Sequence, residues 1–148
     1  MNYTIVDRCL KETDEVVEQQ VTEVLKQPLT YLQTHQDSFI YVESATFDEV
    51  NIDCMTIELD DVFQTYTALF GLRVSKDEEA FLKYFIETET NPTLAKHAIL
   101  YAQADKMFDM NLTLEAVDGF EVNWTIEQAI EAVVQLMRKY EAARQEAR

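Results

Sequence analysis

The chain has 148 residues, 47% of them hydrophobic, which suits one globular domain over 1–148 with a single packed core. Its 28 acidic and 12 basic side chains give a formal net charge of -16, which excludes direct attraction to nucleic-acid phosphates or anionic membrane surfaces and makes basic proteins the natural partners. Two glycines and two prolines provide no flexible linker, and the two cysteines, Cys9 and Cys54, lie far apart in apolar patterns that do not form a disulfide framework.

The N-terminal segment carries Asp7, Arg8, Lys11 and Glu12 where a signal peptide needs an apolar run, and no later run reaches membrane-spanning length. A cytoplasmic protein is therefore expected. From Thr4 to about Lys26, Val6, Leu10, Thr13, Val17 and Val24 recur at spacings of four and three, with Val21 partly filling the gap, and this spacing predicts a long amphipathic helix ended by Pro28. Ser38 to Glu43 reads as a strand, because Phe39, Ile40, Tyr41 and Val42 suit a pleated surface. Val50, Ile52 and Cys54 alternate as a second strand, and Met55, Ile57 and Leu59 continue it on the opposite parity. A bulge or break near Cys54 is the way to keep both sets inward.

From Asp60 the period becomes helical, with Val62, Phe63, Tyr66, Leu69 and Phe70 on one side and Gly71 as a left-handed stop. Ser75 with Glu78 marks the cap of another helix, and Asn91 with Pro92 opens a further one whose stripe is Leu94, His97, Tyr101, Ala104 and Phe108. Asp118-Gly119, between 112–117 and 120–124, suits a tight hairpin. A last helix opens near Thr125, with Gln128 completing a capping box, and runs through Ile126, Ile130, Val133, Met137 and Tyr140. The expected class is α+β, with about five helices on a small, mostly antiparallel sheet; the alternative is an all-α bundle in which the short strand runs are buried loops.

Chemistry-bearing patterns are few. Two glycines cannot build phosphate-cradling loops, and no nucleophile elbow, zinc spacing or calcium loop is present, so neither a cofactor nor a catalytic residue is expected. His97 on an apolar stripe reads as a hydrogen-bonded histidine in or near the core. Glu15 with Glu18, and Glu58 with Asp61, are acid pairs three apart. This spacing resembles the glutamate-rich magnesium sites of the all-helical nucleotide pyrophosphohydrolases, and on those four residues it implies the alternative function, a divalent-metal-dependent hydrolase using helix carboxylates.

From Gln27 to Leu72 there is neither lysine nor arginine, while Glu43, Asp48, Glu49, Asp53, Glu58, Asp60 and Asp61 alternate with Tyr41, Phe47, Phe63, Tyr66 and Phe70. Carboxylates kept together repel one another unless a basic partner uses them. Those seven acids are the candidate partner-binding residues of a non-catalytic acidic module. The acidic bias resembles, in composition, the small bacterial and phage inhibitors that imitate nucleic-acid phosphates. It implies an inhibitor docking a basic, nucleic-acid-handling protein.

Overall fold

The structure is a computed structural model that describes residues 1–147. Seven strands form one antiparallel sheet: β1 (Tyr3–Leu10), β2 (Val16–Glu18), β3 (Ser38–Ser44), β4 (Ile52–Leu59), β5 (Tyr66–Leu72), β6 (Ala98–Ala102) and β7 (Met107–Thr113). Their spatial order is β2-β1-β3-β4-β5-β7-β6, so β4 is the middle strand. The α-helices among the described residues are a single turn, α1 (Ala45–Asp48), then α2 (Glu79–Glu89) and α3 (Ile126–Glu146). Short 3-10 segments at Thr22–Lys26, Leu29–Gln33, Lys76–Glu78 and Leu114–Ala116 complete the chain.

Strand alternation decides which face is covered. On β3, Ser38, Ile40, Val42 and Ser44 are buried while Phe39, Tyr41 and Glu43 between them are only half-buried. The register sets Ile40 against Ile57 and Val42 against Met55, and then Ile57 against Ala68 and Met55 against Phe70, so one face of the sheet is continuously apolar. α3 presents Ile126, Ile130, Val133, Met137 and Tyr140 to that face, α2 adds Leu82, Phe85 and Ile86, and all belong to one buried cluster. Burying one such side chain is worth about 1.5–3 kcal/mol, which is why the helices take this side. The oppositely directed residues, among them Phe39, Tyr41, Thr56, Glu58, Leu69 and Asp109, lie outside that cluster, and among the described residues no helix packs on this second face.

The parity change at Cys54 is resolved as expected. Ile52 pairs with Leu72 and Met55 with Phe70, three steps on β4 against two on β5, so the extra residue keeps Ile52, Met55, Ile57 and Leu59 all inward. The last helix is also as expected: the Thr125 side chain accepts from the Gln128 N–H, and the Gln128 side chain accepts from the Thr125 N–H. Asn51 ties this helix to the head of β4 by donating through Nδ2 to Glu141 Oε1 at 2.9 Å.

The class is α+β, but the sheet is much larger than expected, and both the layer of five helices and the all-α alternative are incorrect. The supposed helix over Thr4 to Lys26 is β1, a turn, β2 and a 3-10 segment. Val6 and Leu10 are four apart, an even number that places them on one face of a strand as readily as on one face of a helix. Asp60 to Phe70 is a turn followed by β5. Gly71 lies inside that strand rather than ending a helix, and there a Cβ would run into the Met107 thioether. Asn91 to Phe108 is a loop and the β6–β7 hairpin, not a helix. Asp118-Gly119 is a turn with Gly119 at φ 83°, but it joins no strand pair, because the chain has already left β7 through a 3-10 segment. No helix among the described residues is long and apolar enough to cross a membrane.

Candidate functional site

Six of the seven acids follow the middle strand of the sheet, and Glu43 lies on β3 beside it. Asp48 and Glu49 lie at the end of α1, just before β4; Asp53 is at the bulge; Glu58 is near the far end; Asp60 and Asp61 are in the turn beyond. Eight residues of strand separate the two end groups by about 25 Å. Asp53 shares the uncovered face with Gly71, whose Cβ position is 3.4 Å from Asp53 Cβ. Glu58 shares it through its pairing with Thr67, and Glu43 through its alternation with the buried Val42 and Ser44 on β3.

Folding supplies cations that the local sequence lacks. Arg73, just past β5, reaches Asp48 at 3.0 Å and also binds Asp53. Arg138 of α3 lies 3.5 Å from Glu49. Lys11, just past β1, reaches Asp61 at 3.0 Å and Glu58 at 3.4 Å, and donates to the Leu59 carbonyl at 2.6 Å. Asp60 is occupied locally, accepting from the backbone N–H groups of Val62 and Phe63 at 2.9 and 2.8 Å and so closing the turn. Glu43 accepts from the Tyr41 hydroxyl. Seven carboxylates thus meet three cationic side chains; the exposed pairs, those of Arg73 and Arg138, contribute only about 0–1 kcal/mol each, while Lys11 and Glu58 are partly buried. The surplus remains negative.

The ionisations of Tyr41 and Glu58 on this face are displaced. Burial, followed by the hydrogen bond to Glu43, raises the Tyr41 phenol well above its ordinary value, so the ring stays neutral and its hydroxyl remains a donor. Burial also raises the Glu58 carboxyl, with Lys11 acting against it. The uncovered face therefore joins aromatic rings, Phe39 and Tyr41, to a line of carboxylates. Sequence reasoning missed two further acids there: Asp7, opposite Tyr41 on β1, and Asp109, opposite Gly71 on β7. Reading β1 and β7 as strands would have found both.

The four carboxylates of the metal alternative occupy no helix. Glu15 and Glu18 belong to the β1–β2 hairpin, Glu58 to β4 and Asp61 to a turn, while Glu18 is held by Arg8 at 2.6 Å and Glu58 and Asp61 by Lys11. Among the described residues no three His, Cys, Asp or Glu side chains are grouped so as to hold a metal ion. A concavity of about 620 Å³ on another side of the molecule is lined by Thr90, Asn91, Glu115, Val117, Asp118 and Phe120. Its half-buried acid, Glu115, is engaged in structure, both oxygens accepting from the Tyr66 N–H at 3.0 and 2.9 Å. His97 precedes β6 rather than lying on a helix, half-buried and hydrogen-bonded through both ring nitrogens. No protein-family model, curated protein or solved structure matches this chain.

Proposed function

We propose that the protein is a non-catalytic acidic binding module that docks a basic protein on the uncovered face of its sheet, along β4. The observation that carries this reading is the course of the seven acids. Six of them accompany the middle strand from one end to the other and Glu43 lies on β3 beside Phe39 and Tyr41; Glu49 turns toward Arg138 of α3, and together the seven outnumber the cations around them. A surface of this kind accelerates encounter with a positively charged partner and gives flat rings for its arginines to stack on. The partner class is a basic protein whose own ligand is a nucleic acid, and the module would act as its inhibitor by occupying the phosphate-binding surface.

The test is positional. A partner is captured from lysate at low salt, and association rates are then compared for two triple variants. Asp48→Asn with Glu49→Gln and Asp53→Asn neutralises one end of the acidic line. Glu87→Gln with Glu89→Gln and Glu146→Gln removes equal charge from exposed positions on α2 and α3. The first triple should slow association about tenfold or more and the second should change it little, because field strength at the contact, not net charge, governs steering. Equal slowing would show that the position of the acids is irrelevant and would remove the docking face.

A further inference from the structure

The two margins of the sheet are unlike. β2 is three residues long, bulged against β1 and closed by Glu18, so it offers little backbone to another strand. β6 has no such protection: its ladder with β7 runs unbroken through five pairs, and Ala98-Ile99-Leu100-Tyr101-Ala102 contains no charge and no proline. No strand lies beyond it among the described residues, and antiparallel geometry turns alternate N–H and C=O groups of β6 outward. Leu100, at its middle, is 69% exposed on the face away from the helices. On the helical face, Ile99 borders a groove of about 370 Å³ with Ile86, Pro92 and Ala95.

Charge selects the occupant. In a chain of net charge -16 this margin is balanced: Lys76 over the Tyr101 ring, Lys83, Lys96 and Lys106 stand against Glu79, Glu87, Asp105 and Asp109. A basic or an acidic segment gains little from a neutral margin, whereas a second neutral margin suits it. The margin is also self-complementary. If β6 pairs antiparallel with its own copy about Leu100, the helices of both copies fall on the same side, and Ala98 of one copy lies opposite Ala102 of the other. Ile99 of each copy then lies opposite Tyr101 of the other, twice by symmetry, while Lys96 stays over the Phe63 ring of its own chain. We infer that β6 pairs with β6 of a second copy, joining two seven-stranded sheets into a symmetric dimer centred on Leu100.

Salt separates this contact from the acidic docking face. Two strongly negative bodies meeting through a neutral strand should associate more tightly as screening rises, whereas a basic partner should bind less tightly. The test is sedimentation velocity on the full chain across a concentration series at about 50 and about 500 mM NaCl, which shortens the screening length severalfold. The dimer fraction should rise with salt. Leu100→Lys, at a solvent-facing position, sets two like charges at the symmetry axis and should give monomer at both salt concentrations with an unchanged melting temperature. Leu100→Glu, which also sets two like charges at the axis, should give monomer too, whereas Leu100→Met, which keeps an apolar side chain there, should leave the dimer in place. A monomer at every concentration and salt overturns the inference, as does a dimer indifferent to Leu100→Lys or one that salt dissociates.

Discussion

His97 shows how a single side chain can report on the fold through pH. The Thr113 N–H donates to Nδ1 at 2.9 Å, so that nitrogen bears no proton; Nε2–H then donates to Thr90 Oγ1 at 3.0 Å, and the Thr90 hydroxyl donates to the Ile86 carbonyl at 2.6 Å. A second ring proton would face the Thr113 N–H. Burial independently lowers the pKa of this ring below its ordinary value of 6.5. Because the unfolded chain binds the proton more readily, the neutral ring contributes stability above about pH 6.5 that is lost as pH falls through that value toward the lower folded one. Chemical denaturation across pH 5 to 7 should therefore show stability falling on acidification. His97→Gln should flatten that slope relative to the parent, and an unchanged slope would show that His97 is not its source. Glu58 and Glu115, both raised by burial, act with the opposite sign, since their ionisation on raising the pH opposes folding. At this scale the acids of the candidate site were legible and their neighbours were not. Lys11 and Arg138 reach Asp61 and Glu49 across long stretches of chain, and a window along the sequence cannot see them.

Hairpin connections of the sheet turn on residues other than glycine. Asp14 before β2, Asn51 before β4, Gln64 before β5 and Lys106 before β7 have φ of 62°, 63°, 56° and 54°. A side chain in this left-handed region costs about 1 kcal/mol relative to glycine, which supports it without strain. Lys106 has no hydrogen bond in which its side chain would be missed, so Lys106→Gly should stabilise the fold by about 0.5–1 kcal/mol. Equilibrium denaturation measures the change, and destabilisation would mean that Lys106 does more than close the turn. The same chemistry explains which elements could be read from sequence. β3, β4 with its bulge, and α3 with its capping box carry local signals that agree with their structure. The β6–β7 hairpin does not: Gln103-Ala104-Asp105-Lys106 holds none of the glycine that marks a tight turn, and His97 and Tyr101, four apart, keep one face in either period. Without glycine punctuation, strand–turn–strand is easily mistaken for a long helix. The one glycine with positive φ, Gly119 at 83°, marks a turn correctly but between segments that form no pair.

Over the whole molecule, a chain of 28 acidic and 12 basic side chains folds with an acidic surplus along the middle strand and a neutral margin at β6. Such a body works against its own charge, since compaction brings unpaired acids closer than the unfolded chain holds them. Several of the opposing ion pairs are surface contacts, such as Arg73 with Asp48 and Arg138 with Glu49, whose partners are 40% to 76% exposed and which contribute little individually; Lys11 with Glu58, and Arg144 with Glu78 and Glu141, are more buried. Repulsion among the surplus should therefore exceed attraction within the pairs, and screening should stabilise the fold. Raising NaCl from about 10 to about 300 mM should raise the melting temperature by several degrees, with KCl giving the same curve because ionic strength alone sets the screening length. The measurement is best made on Leu100→Lys at low protein concentration, so that self-association adds nothing to the shift. A melting temperature that falls with salt would mean that Lys11, Arg73 and Arg138 already neutralise their neighbours. The field along β4 would then be too weak to steer a basic partner, and the docking face would lose its physical basis along with the repulsion.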